Sequence, residues 1–180
     1  FDFSNLWSGG GRTTFARKCR AALRCWLRRM RFGVAEQHRE RFNEAHMWHK
    51  VIHKYREEFE NNPEMLALVR NPDGTLERRG PQLETENPDT IAITTRYIRE
   101  FFADRDWPKD KDITLPVGPA DGLDYSESPE SRAAGTDRRH PIGGSKDYTD
   151  LVVKFATDIL DVLGDEYPNL KLGYYVYSVH

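Results

Sequence analysis

Two cysteines and three methionines in 180 residues leave little soft-ligand or redox chemistry to read. Cys19 and Cys25 stand six apart in a predicted helix, roughly 9 Å along its axis, too far to bridge each other easily. No redox compartment follows from them. No apolar run approaches the length of a membrane span, so no membrane partner is expected. No stretch reads as a signal peptide either, although the chain opens at Phe1 rather than at methionine. Charge of one sign is also lacking: 27 basic against 29 acidic side chains give a net −2, with no global pull toward nucleic acid or acidic lipid. A phosphate-cradling loop is missing, because Gly9-Gly10-Gly11 has neither the following lysine nor a preceding strand. With no Gly-x-Ser-x-Gly elbow and no Ser-His-Asp ordering, hydride transfer and serine hydrolysis are disfavoured. No cofactor is called for.

What is present is enough for one core. Hydrophobic residues make up 38% and aromatics 12% of the chain, which excludes a disordered polymer. From Thr13 to about Phe32, Phe15, Cys19, Ala22, Leu23, Trp26, Leu27 and Met30 recur at helical spacing, opposite a face of arginine and lysine. Glu44 to Phe59 fits either a strand end followed by a loop or a short helix. Met65-Leu66-Ala67-Leu68-Val69 reads as a buried strand closed by the turn signal Asn71-Pro72-Asp73-Gly74. Asn87 as N-cap, Pro88 at the first helical position and Asp89 in the first turn start a helix whose core face is Ile91, Thr94, Ile98, Phe101 and Phe102. Ile113 to Val117 is a short strand, in which Pro116 calls for a bulge or an early end. Tyr148, Leu151, Val152, Phe155, Ile159, Leu160 and Leu163 form the clearest helical stripe, ending at Gly164. Leu172 to Tyr177 reads as a last strand.

Strands alternating with helices argue for an α/β fold with a parallel sheet. About thirty residues separate the Ile113 strand from the Tyr148 helix, against about seven from that helix to the next strand, and α/β proteins place function on such long strand-to-helix loops. The chain begins without methionine, has about three strands and ends on one; a closed eight-stranded barrel needs about 250 residues. The expectation is therefore a single domain, 1–180, forming part of a (β/α)8 TIM-type barrel, with the remaining parts of the barrel as its partner.

Short motifs in a fixed order carry a resemblance. They are His46-Met47-Trp48, Asn62-Pro63-Glu64-Met65-Leu66-Ala67-Leu68-Val69, Gln82-Leu83, Asn87-Pro88-Asp89, Val117-Gly118-Pro119-Ala120-Asp121-Gly122, Tyr167-Pro168-Asn169 and Leu172-Gly173 with Tyr177. From about Trp26 onward the chain resembles an uncharacterised domain family of large bacterial proteins, grouped with the TIM-barrel glycoside hydrolases. The resemblance implies a β/α barrel that acts on or binds carbohydrate, and a secreted or periplasmic location. Family members often carry Cys-x-Cys-x-x-Cys after Gly-Pro-x-Asp-Gly; here serine stands at each of those places, Ser126, Ser128 and Ser131. Serine hydroxyls are poor zinc or iron ligands at neutral pH, so no metal clip is expected and the loop must hold itself by packing and hydrogen bonds or be mobile.

Glycoside hydrolysis usually needs two carboxylates flanking the scissile bond. Asp121, directly after a predicted strand end, is the candidate catalytic group, against an Asx-turn role beside Gly122. Asp124, Glu127 and Glu130 share its loop and could supply the partner carboxylate, but read mainly as solvated charges, with Glu127 carried as a substrate contact. His46, His49 and His53 fall at i, i+3 and i+7, a pattern short of a zinc-protease signature; the resemblance points to His46 alone, as a sugar contact. Asn87 and Tyr177 complete the candidate substrate-binding set, with Asn87 otherwise a helix cap. Trp48 and Trp107 are candidates for stacking on sugar rings or for the core. Arg78 and Arg79 would clamp a uronate or sulfate, or simply flank an exposed turn. Three functions stay open: a glycoside hydrolase, a non-catalytic carbohydrate-binding barrel, and nucleic-acid binding through the Arg-rich helix 12–31.

Overall fold

The computed structural model describes residues 46–135, 139 and 146–174, which lie in the unit spanning 40–180. The Arg-rich segment 12–31, both cysteines and Tyr177 fall outside these residues. Helix α1 (Trp48–Lys54) and helix α2 (Arg56–Asn61) come first, and a 3-10 turn (Pro63–Met65) leads into strand β1 (Leu66–Arg70). The ambiguous stretch 44–59 is thus helical from Trp48 on. Trp48, Val51 and Phe59 turn inward from the two short helices and are buried.

Strand β1 runs through the expected apolar stretch and ends where expected. The Asn71–Gly74 turn does more than close it: it reverses the chain into strand β2 (Leu76–Leu83), antiparallel to β1. Asp73 accepts from the backbone N–H and hydroxyl of Thr75, and Gly74 takes φ +89°, the left-handed region that glycine enters without a Cβ clash. The pairing is irregular. Leu66 faces Leu83 while Leu68 faces Arg78, so extra residues of β2, Pro81 among them, bulge out of the ladder. This hairpin corrects the expectation of a wholly parallel sheet.

Helix α3 (Pro88–Ala103) starts as its sequence dictates, with the Asn87 side chain accepting from the Asp89 N–H. Thr94, Ile98, Phe101 and Phe102 are buried as expected, but Ile91 is only half-buried and Ile93 takes the core position instead. Strand β3 (Ile113–Pro116) follows. Proline closes the strand at its last paired position, opposite Gly173, where its missing N–H interrupts nothing. The long connection after β3 contains helix α4 (Pro129–Ala134), capped by Ser128, which sequence patterning did not reveal. Helix α5 (Thr149–Leu163) then leads to strand β4 (Leu170–Gly173).

Strand β4 pairs with β3 in parallel, in the register Ile113 to Leu170 through Pro116 to Gly173. The β3–α5–β4 segment is therefore a β-α-β crossover, the unit of parallel α/β architecture. Its helix buries Val152, Phe155, Ile159 and Leu163 in the core cluster that also holds Trp48, Ile98 and the strand residues Ile113 and Leu115, and Leu151 is buried as well. The Trp48 ring meets Phe155 edge-on, with centroids 5.6 Å apart. Among the described residues the fold is mixed α/β, with two two-stranded sheets, one antiparallel and one parallel.

Candidate functional site

The backbone that leaves β3 is tied down carbonyl by carbonyl. Val117 O accepts from the Trp48 indole at 2.8 Å, and Gly118 O from Met47 N–H at 3.1 Å. Pro119 O lies 2.7 Å from His46 Nδ1, and Ala120 O accepts from the Gln82 amide at 2.8 Å. Ala120 N–H donates back to Gln82 Oε1 at 3.1 Å. A buried peptide group without a partner is costly; here every carbonyl from 117 to 120 has one. Gly122 then turns away at φ +114°, a conformation open to glycine and strained for other residues.

Asp121 sits between the anchored stretch and that turn. Its side chain is 82% exposed, and Oδ1 lies 3.5 Å from His46 Nε2. The imidazole orientation follows from the chemistry of its partners. A carbonyl only accepts, so the Nδ1 facing Pro119 O carries a proton, and Nε2 is the nitrogen turned to the carboxylate. Sequence reasoning named both residues separately, and the fold brings them together from positions 75 apart. His46 stands before α1, so it does not share one helical face with the exposed His49 and His53.

A second polar cluster lies under the loop, and sequence reasoning missed its centre. Glu84, just past β2, is buried with 3% exposure. Ser126 Oγ donates to Oε2 at 2.6 Å, Ser131 Oγ to Oε1 at 2.5 Å, and Arg78 to Oε2 at 2.7 Å. Burial pushes the carboxyl up, but the hydrogen bonds from Ser126, Ser131, Arg78 and Ser128 outweigh it and hold it below the ordinary glutamate value. Ser128 Oγ also accepts from Ser131 N–H as the cap of α4. Ser126 and Ser131 thus fasten the loop onto one carboxylate, while Ser128 caps the helix that carries Ser131. The available signal was Ser128-Pro129-Glu130, a helix start, and it says nothing of Glu84.

The remaining candidates are placed as follows. Glu127 is held between Arg70 at 2.9 Å and Arg132 at 2.8 Å, and its N–H donates to Leu68 O. Partial burial raises its carboxyl, but the two guanidinium groups prevail and lower it. Asp124 faces Arg79 at 3.5 Å, and Glu130 lies in the first turn of α4. Asn87 caps α3 through Oδ1 and donates from Nδ2 to Glu64 O. Trp48 is fully buried, which removes it as a stacking platform, and Trp107 wedges edge-on against Phe101 and Phe102. Arg78 is committed to Glu84, Glu64 and Leu66 O, and Arg79 also reaches Asn71. A cleft of about 310 Å³ opens between Glu64, Arg78, Glu84, Glu86, Asn87 and Glu130.

Among the described residues no helix is long and apolar enough to cross a membrane, and no group of three His, Cys, Asp or Glu is placed to hold a metal ion. No protein-family model matches the chain, and no curated protein or solved structure is significantly similar to it.

Proposed function

We propose that this chain is part of a carbohydrate-active β/α barrel whose His46–Asp121 pair contacts the saccharide. The observation that carries the reading is the pair itself: a carboxylate and an imidazole 3.5 Å apart at the exit of a strand, on backbone fixed before any ligand arrives. Sugar hydroxyls are both donors and acceptors, so a solvent-facing carboxylate beside an oriented imidazole suits two adjacent hydroxyls. Fixed geometry lowers the ordering cost of binding. The β3–α5–β4 crossover is the element that agrees with a barrel, since strand-to-helix loops of such units carry sites at the strand ends.

Hydrolysis is the stronger form of this reading, with Asp121 as acid/base or substrate-orienting carboxylate. It needs a second carboxyl at about 5 Å for retention or about 6.5–9.5 Å for inversion. Glu127 and Glu84 are poor choices for a protonated acid, because both are held below the usual range by their donors. Asp121→Asn and His46→Gln should each weaken binding on a glycan panel by about tenfold, the size of one charge-assisted hydrogen bond. Turnover by the unaltered chain that disappears in Asp121→Asn would establish the hydrolase. Affinity unchanged in both variants would remove the pair from any saccharide site.

A further inference from the structure

We infer that Gln82 is a positioning residue, which sets where the Asp121 carboxylate stands relative to His46. The functional value of this role rests on the saccharide reading; the positioning itself can be tested without a saccharide. Gln82 is 1% exposed and one of the largest fully buried side chains of the chain. A buried primary amide is costly unless paired. Here the pairing is two-point and reciprocal with one residue: Nε2 donates to Ala120 O, and Oε1 accepts from Ala120 N–H, so the peptide groups on both sides of the Ala120 Cα are held. Those are the two bonds a neighbouring strand would exchange with Ala120, supplied by a side chain 38 positions earlier.

The second consideration is what else holds that point. Trp48, Met47 and His46 fasten carbonyls 117, 118 and 119. Gly122 begins the turn out. Residue 120 is thus the last anchored position before Asp121, and Gln82 provides both of its bonds. A single hydrogen bond would hold one peptide plane and leave its neighbour to pivot about the Ala120 Cα; the two bonds hold both planes, and with the second of them the place of the Asp121 Cα. Only a primary amide both donates and accepts here without charge, and asparagine is one methylene shorter. Glutamate places an oxygen against Ala120 O, and leucine offers neither bond.

The test uses the whole chain with three variants, Gln82→Leu, Gln82→Glu and Asp121→Asn, and Val152→Ala as a core-destabilised control. Two signals are read at one pH: hydrogen exchange at the Ala120 amide, and the side-chain nitrogen resonances of His46, assigned with His46→Gln. We expect Gln82→Leu to speed exchange at Ala120 at least tenfold beyond the Val152→Ala control. We also expect it to move the His46 Nε2 resonance toward its position in Asp121→Asn, with Val152→Ala leaving that resonance in place. A His46 signal unmoved in Gln82→Leu, or moved equally by Val152→Ala, overturns the proposal. If the leucine variant fails to fold, Gln82→Glu decides by the same criterion. Loss of the His46 coupling without any glycan affinity in the unaltered chain would retain Gln82 as a positioning residue and discard the saccharide reading, so the two failures are separable.

Discussion

At the scale of single residues, the buried Glu84 shows how the loop after β3 holds together without thiolates. Its two oxygens take three donors from two separated segments, Arg78 on β2 and Ser126 and Ser131 on the loop. Removing the carboxylate takes one of the two acidic partners of Arg78, which keeps Glu64 and Leu66 O, and leaves two hydroxyls without acceptors. Breaking a buried pair costs about 3–5 kcal/mol and leaving a neutral donor unpaired about 1–3 kcal/mol. Glu84→Ala is expected to lose about 3 kcal/mol by urea denaturation, whereas Glu130→Ala, in the exposed first turn of α4, should lose under ~0.5 kcal/mol. Equal losses in the two variants would contradict the role given to Glu84.

At the scale of elements, local chemistry decides where α3 begins and tertiary packing decides which of its faces is buried. Asn87, Pro88 and Asp89 form a start signal that works within three residues, through one side-chain acceptor, one fixed φ and one acid near the helix N-terminus. Asn87→Ala should cost about 1 kcal/mol of stability in thermal or urea unfolding, while Asn87→Asp should retain most of it. A destabilisation of Asn87→Ala well under ~0.5 kcal/mol would show that the cap is dispensable. The buried face is another matter. Ile93 rather than Ile91 is buried, in the core that α3 shares with α1 and α5, and neither neighbour is encoded inside the helix.

At the scale of the whole molecule, several carboxylates act together on acid stability. Glu84 and Glu127 are pushed up by burial and lowered by more through their donors; Glu100 is lowered chiefly by Lys54, and Glu166 chiefly by Arg99. A carboxyl lowered in the folded state binds its proton later than in the unfolded chain. Its stabilisation is thus complete above the ordinary glutamate value of 4.5 and is lost as pH falls through the folded value. Urea midpoints are expected to be level near neutrality and to fall from about pH 5 downward. Glu84→Gln should be less stable at pH 7 and show a shallower acid decline. A decline as steep as that of the unaltered chain would assign the acid sensitivity to other groups.

The sequence by itself determined the elements whose signals are local. The Asn87 start, the Asn71–Gly74 turn, the stripe of α5 and the early end of β3 at Pro116 each depend on backbone geometry and periodicity within a few residues. The place of Asp121 shortly after the end of a strand was also legible. The tertiary structure decided the rest. Strand β2 is polar and largely exposed, so it has no apolar alternation to read, and only its pairing with β1 makes it a strand. Gln82 and Glu84 look like surface residues in sequence because amides and carboxylates usually are; they are buried here because partners 38 to 47 positions away satisfy them. The distance between His46 and Asp121 has the same origin. A hydrogen-bond partner far along the chain leaves no trace in local pattern, and the arrangement of this loop consists almost entirely of such partners.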